Sequence, residues 1–205
     1  KGQSIEDESM EIIEHEVGSH EYNDMEWPIV RRVIHATADF DFAGKNKIVF
    51  HKDAITSGTS ALKNGCSIIV DVNGVIGGLN KQNPKDFENN IICNISDPDL
   101  AERAKQENKT RAQMSMRVAA SEINGGVVVI GNAPTALLEI IKMIREGVTK
   151  PALVIGIPVG FVSAAESKEE LQTINVPFIT NTGRKGGSSC AASIVNALFK
   201  LLKEN

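Results

Sequence analysis

A histidine, a serine, an arginine and a set of glycine-rich turns are the features of this sequence best suited to act on a ligand. His35 closes an apolar helical run, Val33-Ile34-His35-Ala36. The C-terminal dipole of such a helix favours an imidazolium, while Arg31 and Arg32, one turn earlier, oppose it. An unperturbed imidazole titrates near ~6.5, so His35 could hand over a proton near neutral pH. A histidine that simply ends the helix has the same signature. Ser9 sits on the apolar stripe of an earlier helix. It is either a small buried residue bonded to its own backbone or a hydroxyl turned toward a ligand. Arg111, in Asn108-Lys109-Thr110-Arg111, has the guanidinium geometry that clamps a carboxylate through two parallel hydrogen bonds, and an exposed helical cation looks the same. His15, His20 and His51 read as surface or turn residues.

Three turns add to these side chains. Val127–Ile130 reads as a strand and runs into Gly131-Asn132-Ala133-Pro134-Thr135, with Pro134 placed for the first turn of a helix. The backbone N–H groups of Asn132, Ala133 and Thr135 are expected to face a crevice there as an anion site, with a tight turn capped by Asn132 as the alternative. A second turn, Pro158-Val159-Gly160-Phe161-Val162, follows another strand. The third, Asn181-Thr182-Gly183-Arg184-Lys185-Gly186-Gly187-Ser188-Ser189, sets Arg184, Gly186 and Gly187 just before the last helix. It suits a flexible loop over an anionic ligand, or a plain surface loop. Neither GxGxxG nor GxxxxGK[ST] occurs, so both common nucleotide fingerprints are missing.

The elements that must position these residues follow from hydrophobic pattern. Two helices open the chain, one with Ile5, Ser9, Ile12 and Ile13 on a stripe, the other starting at Trp27-Pro28. Then Lys47–Phe50, Ser67–Val72, Asn90–Ile95, Val127–Ile130, Ala152–Ile157 and Pro177–Thr180 read as strands, most of them apolar throughout, as strands buried on both faces are. Helices are expected at Ala54–Lys63, Pro98–Ile123 (one long or two short), Pro134–Glu146, just after Ser163, and Ser188–Lys203. The alternation predicts one domain over residues 1–205: a doubly wound α/β fold, with a mostly parallel sheet, helices on both faces and two N-terminal helices. Ligands of such sheets bind beyond the carboxyl ends of the strands.

Composition narrows the classes. The 205 residues are 41% hydrophobic and 23% charged, enough for a core without staples. A net charge of −4 leaves no global basic field for nucleic acid or an anionic membrane, so any anion-binding groups must be local. Cys66, Cys93 and Cys190 form no CxxC pair and read as reduced, mostly buried thiols of a cytoplasmic protein. No apolar run approaches the ~20 residues of a membrane span.

Taken together, the segments resemble the precorrin-8X methylmutase family over nearly the whole length. The matching stretches are Val33-Ile34-His35-Ala36, Asn108-Lys109-Thr110-Arg111, Gly131 through Leu137, Gly156 through Val162 with Ala164 through Lys168, and Gly183-Arg184 with Gly186-Gly187-Ser188. The resemblance implies an isomerase of cobalamin biosynthesis that moves a methyl group from C-11 to C-12 of precorrin-8X or cobalt-precorrin-8, giving hydrogenobyrinate or cobyrinate. Such a 1,5-sigmatropic shift needs no redox or nucleotide cofactor. It also implies His35 as the acid that protonates a ring nitrogen, Ser9 and Arg111 as substrate-binding residues, a homodimer, and no metal site, since any cobalt belongs to the substrate. Asn132, Ala133, Thr135, Arg184, Gly186 and Gly187 are expected to meet the substrate's acetate and propionate groups. Thr37-Ala38-Asp39-Phe40-Asp41 lies outside the matching stretches and sets an acidic pair beside His35. The alternative from another class is a non-catalytic, flavodoxin-like carrier of a tetrapyrrole, which would need affinity but no proton donor.

Overall fold

The structure is a computed structural model and describes residues 2–204. Two helices packed on one another come first, α1 (Gly2–Val17) and α2 (Trp27–Thr37), followed by a short 3-10 turn at Phe40–Ala43. A six-stranded sheet then forms from β1 (Ile48–Phe50), β2 (Ile68–Val70), β3 (Ile91–Ile92), β4 (Val127–Ile130), β5 (Leu153–Gly156) and β6 (Phe178–Asn181). Its strand order is β1-β6-β5-β4-β2-β3, and every pairing is parallel except that of β1 with β6. From β2 the chain steps outward to β3, then returns to the other side of β2 as β4. The switch point of the sheet therefore lies between β2 and β4.

Alternate residues of each strand feed opposite cores. On one face, Ile68, Val70, Val127, Val129, Leu153 and Ile155 pack with α2, α3 (Ala54–Lys63), α4 (Asn73–Gly78) and α11 (Ser188–Glu204). On the other, Ile69, Val128, Ile130 and Val154 pack with α7 (Arg111–Val118), α8 (Ala120–Ile123), α9 (Pro134–Arg145) and α10 (Ala164–Leu171). This three-layer arrangement is the expected one. It explains why the central strands lack polar alternation: β2, β4, β5 and β6 are buried at every position.

Two helical readings change. The single or paired helix read over Pro98–Ile123 is three helices, α6 (Pro98–Gln106), α7 and α8. Thr110 breaks the run by capping α7 in a reciprocal capping box with Gln113, and Asn108 just before it has left-handed φ. Two short helices, α4 and α5 (Gln82–Asp86), occupy the β2–β3 crossover, where glycine and proline mask any periodicity. The stripe on α1 is only partly covered: Ile13 is buried, while Ile5 is 64% and Ile12 50% exposed. Glu14–Arg31 and Glu6–Arg32 ion pairs, at 2.5 and 2.8 Å, hold α1 against α2.

Candidate active site

His35 lies in the last turn of α2, which ends at Ala38 in left-handed conformation with its N–H bonded to the Ile34 carbonyl. The imidazole is exposed and faces an open cavity of about 330 Å³. Ser9, Ile12, Ile13, Glu16, Ala38 and Phe40 line the same cavity, so the structure brings Ser9 and His35 together. The Ser9 hydroxyl donates to the Ile5 carbonyl at 2.8 Å, which leaves its oxygen free to accept. Glu16 was not singled out in the sequence, because an acidic helix face reads as solvated.

The charges around His35 are compensated. Arg31 and Arg32, expected to oppose an imidazolium, are paired with Glu14 and Glu6. The acidic pair that follows, Asp39 and Asp41, is bound by Lys185 Nζ at 2.7 and 2.8 Å. Lys185 beside Asp39 holds that carboxyl below its ordinary range, against the opposing effect of burial. These contacts tie the segment after His35 to the glycine-rich turn before α11.

That turn is not a flexible flap. Lys168, on α10 and fully buried, donates to the carbonyls of Gly183 (3.0 Å) and Lys185 (2.6 Å). Asn181 Nδ2 donates to the carbonyls of Thr182 and Lys185, and Asn46 Nδ2 donates to Thr182. Gly186 has no room for a side chain: a Cβ there would lie 2.5 Å from the Ile157 carbonyl oxygen. Arg184 is exposed and stacks its guanidinium 5.7 Å above the Phe161 ring. In the sequence Lys168 stands out only as part of the Ala164–Lys168 motif. Its burial was the missing signal, since an isolated lysine on a helix normally reads as surface.

A second cluster stands at the switch point. The N–H groups of Gly131, Asn132 and Ala133 do not face an open crevice, contrary to expectation. Asp71, just past β2 and fully buried, accepts all three, at 2.9, 2.8 and 2.8 Å. Burial pushes the Asp71 carboxyl above its ordinary range, and these donors pull against that. The chain thus supplies its own anion to the start of α9. Asn132 is exposed, and Thr135, half-buried, meets the Thr110 hydroxyl at 3.4 Å. Arg111 follows Thr110 directly. Its guanidinium is exposed and donates to the Ile95 carbonyl at 2.7 Å. Gly131 lets α11 approach, since a Cβ on it would lie 2.9 Å from Ser188 Cα. No hydrogen bond or ion pair joins Arg111 to His35 among the described residues. The two clusters share the carboxyl edge of the sheet and are linked through the start of α11. Among the described residues no group of three or more histidine, cysteine or acidic side chains could hold a metal ion.

A doubly wound, mostly parallel sheet with helices on both faces, an exposed histidine and cations along its carboxyl edge defines a three-layer α/β protein with its candidate site at that edge. Residues 4–201 match the precorrin-8X methylmutase family, and the chain belongs to that family of cobalamin-biosynthesis isomerases. It is 52% identical to the cobalt-precorrin-8 methylmutase of Priestia megaterium, over 96% of this chain and 86% of that one. It is 49% identical to the cobalt-precorrin-8 methylmutase of Leptospira interrogans, over 98% and 94%. The crystal structure of precorrin-8X methylmutase from Thermus thermophilus superposes with a TM-score of 0.91 at 39% identity, covering 98% of this chain and 97% of that one.

Proposed function

We propose that this isomerase moves the methyl group of precorrin-8X or cobalt-precorrin-8 from C-11 to C-12, with His35 as the general acid. The observation that carries the reading is an exposed imidazole opening into an apolar-walled cavity, with the fixed cationic turn on the same sheet edge. His35 would give its proton to a ring nitrogen, the methyl would migrate within the macrocycle, and the proton would return. Mass is unchanged and no electron is exchanged. Arg111, Arg184, Thr135 and Asn132 would meet peripheral carboxylates, with the N–H of Gly186 in the same rim; the Gly187 N–H, also expected there, is taken by the Ile157 carbonyl at 2.9 Å. The cobalt name borne by both relatives at about half identity favours the cobalt form.

We also assign a homodimer and a cytoplasmic location to this function. A cavity of about 330 Å³ is at the small end for even a drug-sized ligand, far short of a tetrapyrrole. Exposed Ile12 and Phe40 at its rim, with Ile5 further along α1, offer an apolar surface for a second copy. No helix among the described residues is long and apolar enough to cross a membrane.

Incubating extensively dialysed protein with each macrocycle and following the corrin spectrum tests the reaction and the cobalt preference together. His35→Asn should keep the fold and product binding and lower turnover by roughly 10²–10⁴-fold. Near wild-type turnover in that folded variant would remove His35 from the chemistry. Binding without conversion by the unaltered protein would favour a tetrapyrrole carrier.

A further inference from the structure

Lys168 is a buried charge with no ionic partner among the described residues: it is 0% exposed, and no carboxylate lies within ion-pair distance of it. Its ammonium is used on two peptide carbonyls of one turn, Gly183 and Lys185. Neither lies on the helix that carries it. Burying an unpaired ammonium is costly, and burial accordingly pulls Lys168 down to about 8. A methionine or leucine would fill this space at lower cost, so the charge calls for a purpose beyond packing.

The geometry of the peptide supplies one. A trans peptide unit is planar, with its N–H pointing opposite to its C=O, and no peptide in the described chain is cis. The Gly183 and Lys185 carbonyls point inward to a buried ammonium. The N–H groups of the same two peptide units, on Arg184 and Gly186, must then point outward. Neither donates to any backbone or side-chain acceptor among the described residues, whereas the neighbouring Gly187 N–H is taken by the Ile157 carbonyl. Two N–H groups on alternate residues, both turned away from the ammonium, are a donor pair that one anion can bridge. The ammonium behind them polarises both units and strengthens the donors. Arg184 itself is exposed and adds a cation to the same turn.

We propose that Lys168 is a positioning residue for substrate binding, fixing the outward N–H groups of Arg184 and Gly186 as a receptor for one peripheral carboxylate of the macrocycle. The inference rests on the substrate class proposed above. It adds a residue that never touches substrate and a subsite built from backbone.

The test compares affinity for two probes: the corrin polycarboxylic acid product, and the same macrocycle with its carboxylates converted to primary amides. Wild-type protein should bind the acid more tightly. Lys168→Met, matched in length and without charge, should weaken binding of the acid by roughly 10- to 100-fold and leave binding of the amide within about threefold. A packing defect would weaken both probes alike, and that result overturns the proposal, as does unchanged acid affinity in a folded variant. Should Lys168→Met fail to fold, backbone amide NMR of the wild-type protein decides. The Arg184 and Gly186 N–H signals should move downfield when the acid probe is added and stay in place with the amide; no movement with the acid refutes the receptor. If wild-type protein binds neither probe, the proposed function itself fails, a result separate from loss of the Lys168 effect alone.

Discussion

Lys168→Met also makes a stability prediction that needs no ligand. A lysine carried from 10.5 to about 8 has its charged form disfavoured by about 3 kcal/mol in the folded state. Below pH 8 both folded and unfolded states hold the proton and the whole penalty is present. Between about 8 and 10.5 the unfolded chain binds more protons than the folded one, so folding gains stability as pH rises. The methionine variant lacks this proton. At pH 7 it should be at least as stable as wild type, because it loses two hydrogen bonds but no longer buries a charge. From pH 7 to pH 9 wild type should gain about 1 kcal/mol on the variant. Other groups titrate in this range too. Burial pushes Cys66 and Cys190 up to about 11, so both thiols favour unfolding as pH rises past 9. That contribution is largely common to both proteins and cancels in the difference, except for the part of Cys190 that depends on the neighbouring ammonium. Urea denaturation of both proteins at pH 7, 8 and 9 measures the difference directly. A gap that stays constant across the three values would show that Lys168 keeps its proton in the folded state up to pH 9. A variant several kcal/mol less stable at pH 7 would mean that the ammonium has an anionic partner; either result refutes the prediction.

Three further outcomes follow from the geometry. Arg111→Ala should weaken binding of the corrin product by roughly 10- to 150-fold with little change in fold, checked by spectroscopic titration; equal affinity would remove Arg111 from the site. Asp71→Ala should cost about 2–4 kcal/mol in urea denaturation, since one substitution strips the acceptor from three N–H groups, of which only the outer two can turn to water; a loss under about 0.5 kcal/mol would contradict the capping role. Gly131→Ala should cost about 1–3 kcal/mol and reduce corrin affinity, because the new methyl would press on the backbone at Ser188 and push the start of α11 away from the turn after β4; a neutral effect on both would show that the contact yields.

What the sequence made legible divides along a physical line. The central strands β2, β4, β5 and β6 were readable because strands buried on both faces are largely apolar, and that pattern survives without any knowledge of their neighbours; the half-buried edge strands β1 and β3 were readable from their own short apolar runs. Ser9 and His35 were each readable as candidates, and their convergence on one cavity follows from α1 packing on α2. Asp71 was not readable. It ends an apolar run and has no partner nearby in sequence, and its three donors are some sixty residues away, across the switch point. Lys168 was hidden for a related reason: its meaning depends on burial, which a lone cation on a helix does not announce. The free N–H groups expected at Asn132 and Ala133 failed on the same ground, since a helix N-terminus looks like an anion site whether or not the protein supplies the anion.

The distribution of charge turns this into an argument about the ligand. The protein is net negative, and near the site most cations are cancelled by its own acids: Arg31 by Glu14, Arg32 by Glu6, Lys185 by Asp39 and Asp41. Three are treated differently. Lys168 is bound to carbonyls, Arg111 to one carbonyl, and Arg184 to an aromatic face, none of which removes a positive charge. Each is held in place by these contacts while its charge stays uncompensated, which is the arrangement that lowers the ordering cost of binding an anion. Arg111 sits near the switch point and Arg184 near the cationic turn, so the charges they offer are spread along the edge instead of converging on one point. A small anion would use one of them. A broad ligand carrying carboxylates around its rim would use them all, with its apolar face toward the cavity that His35 opens into.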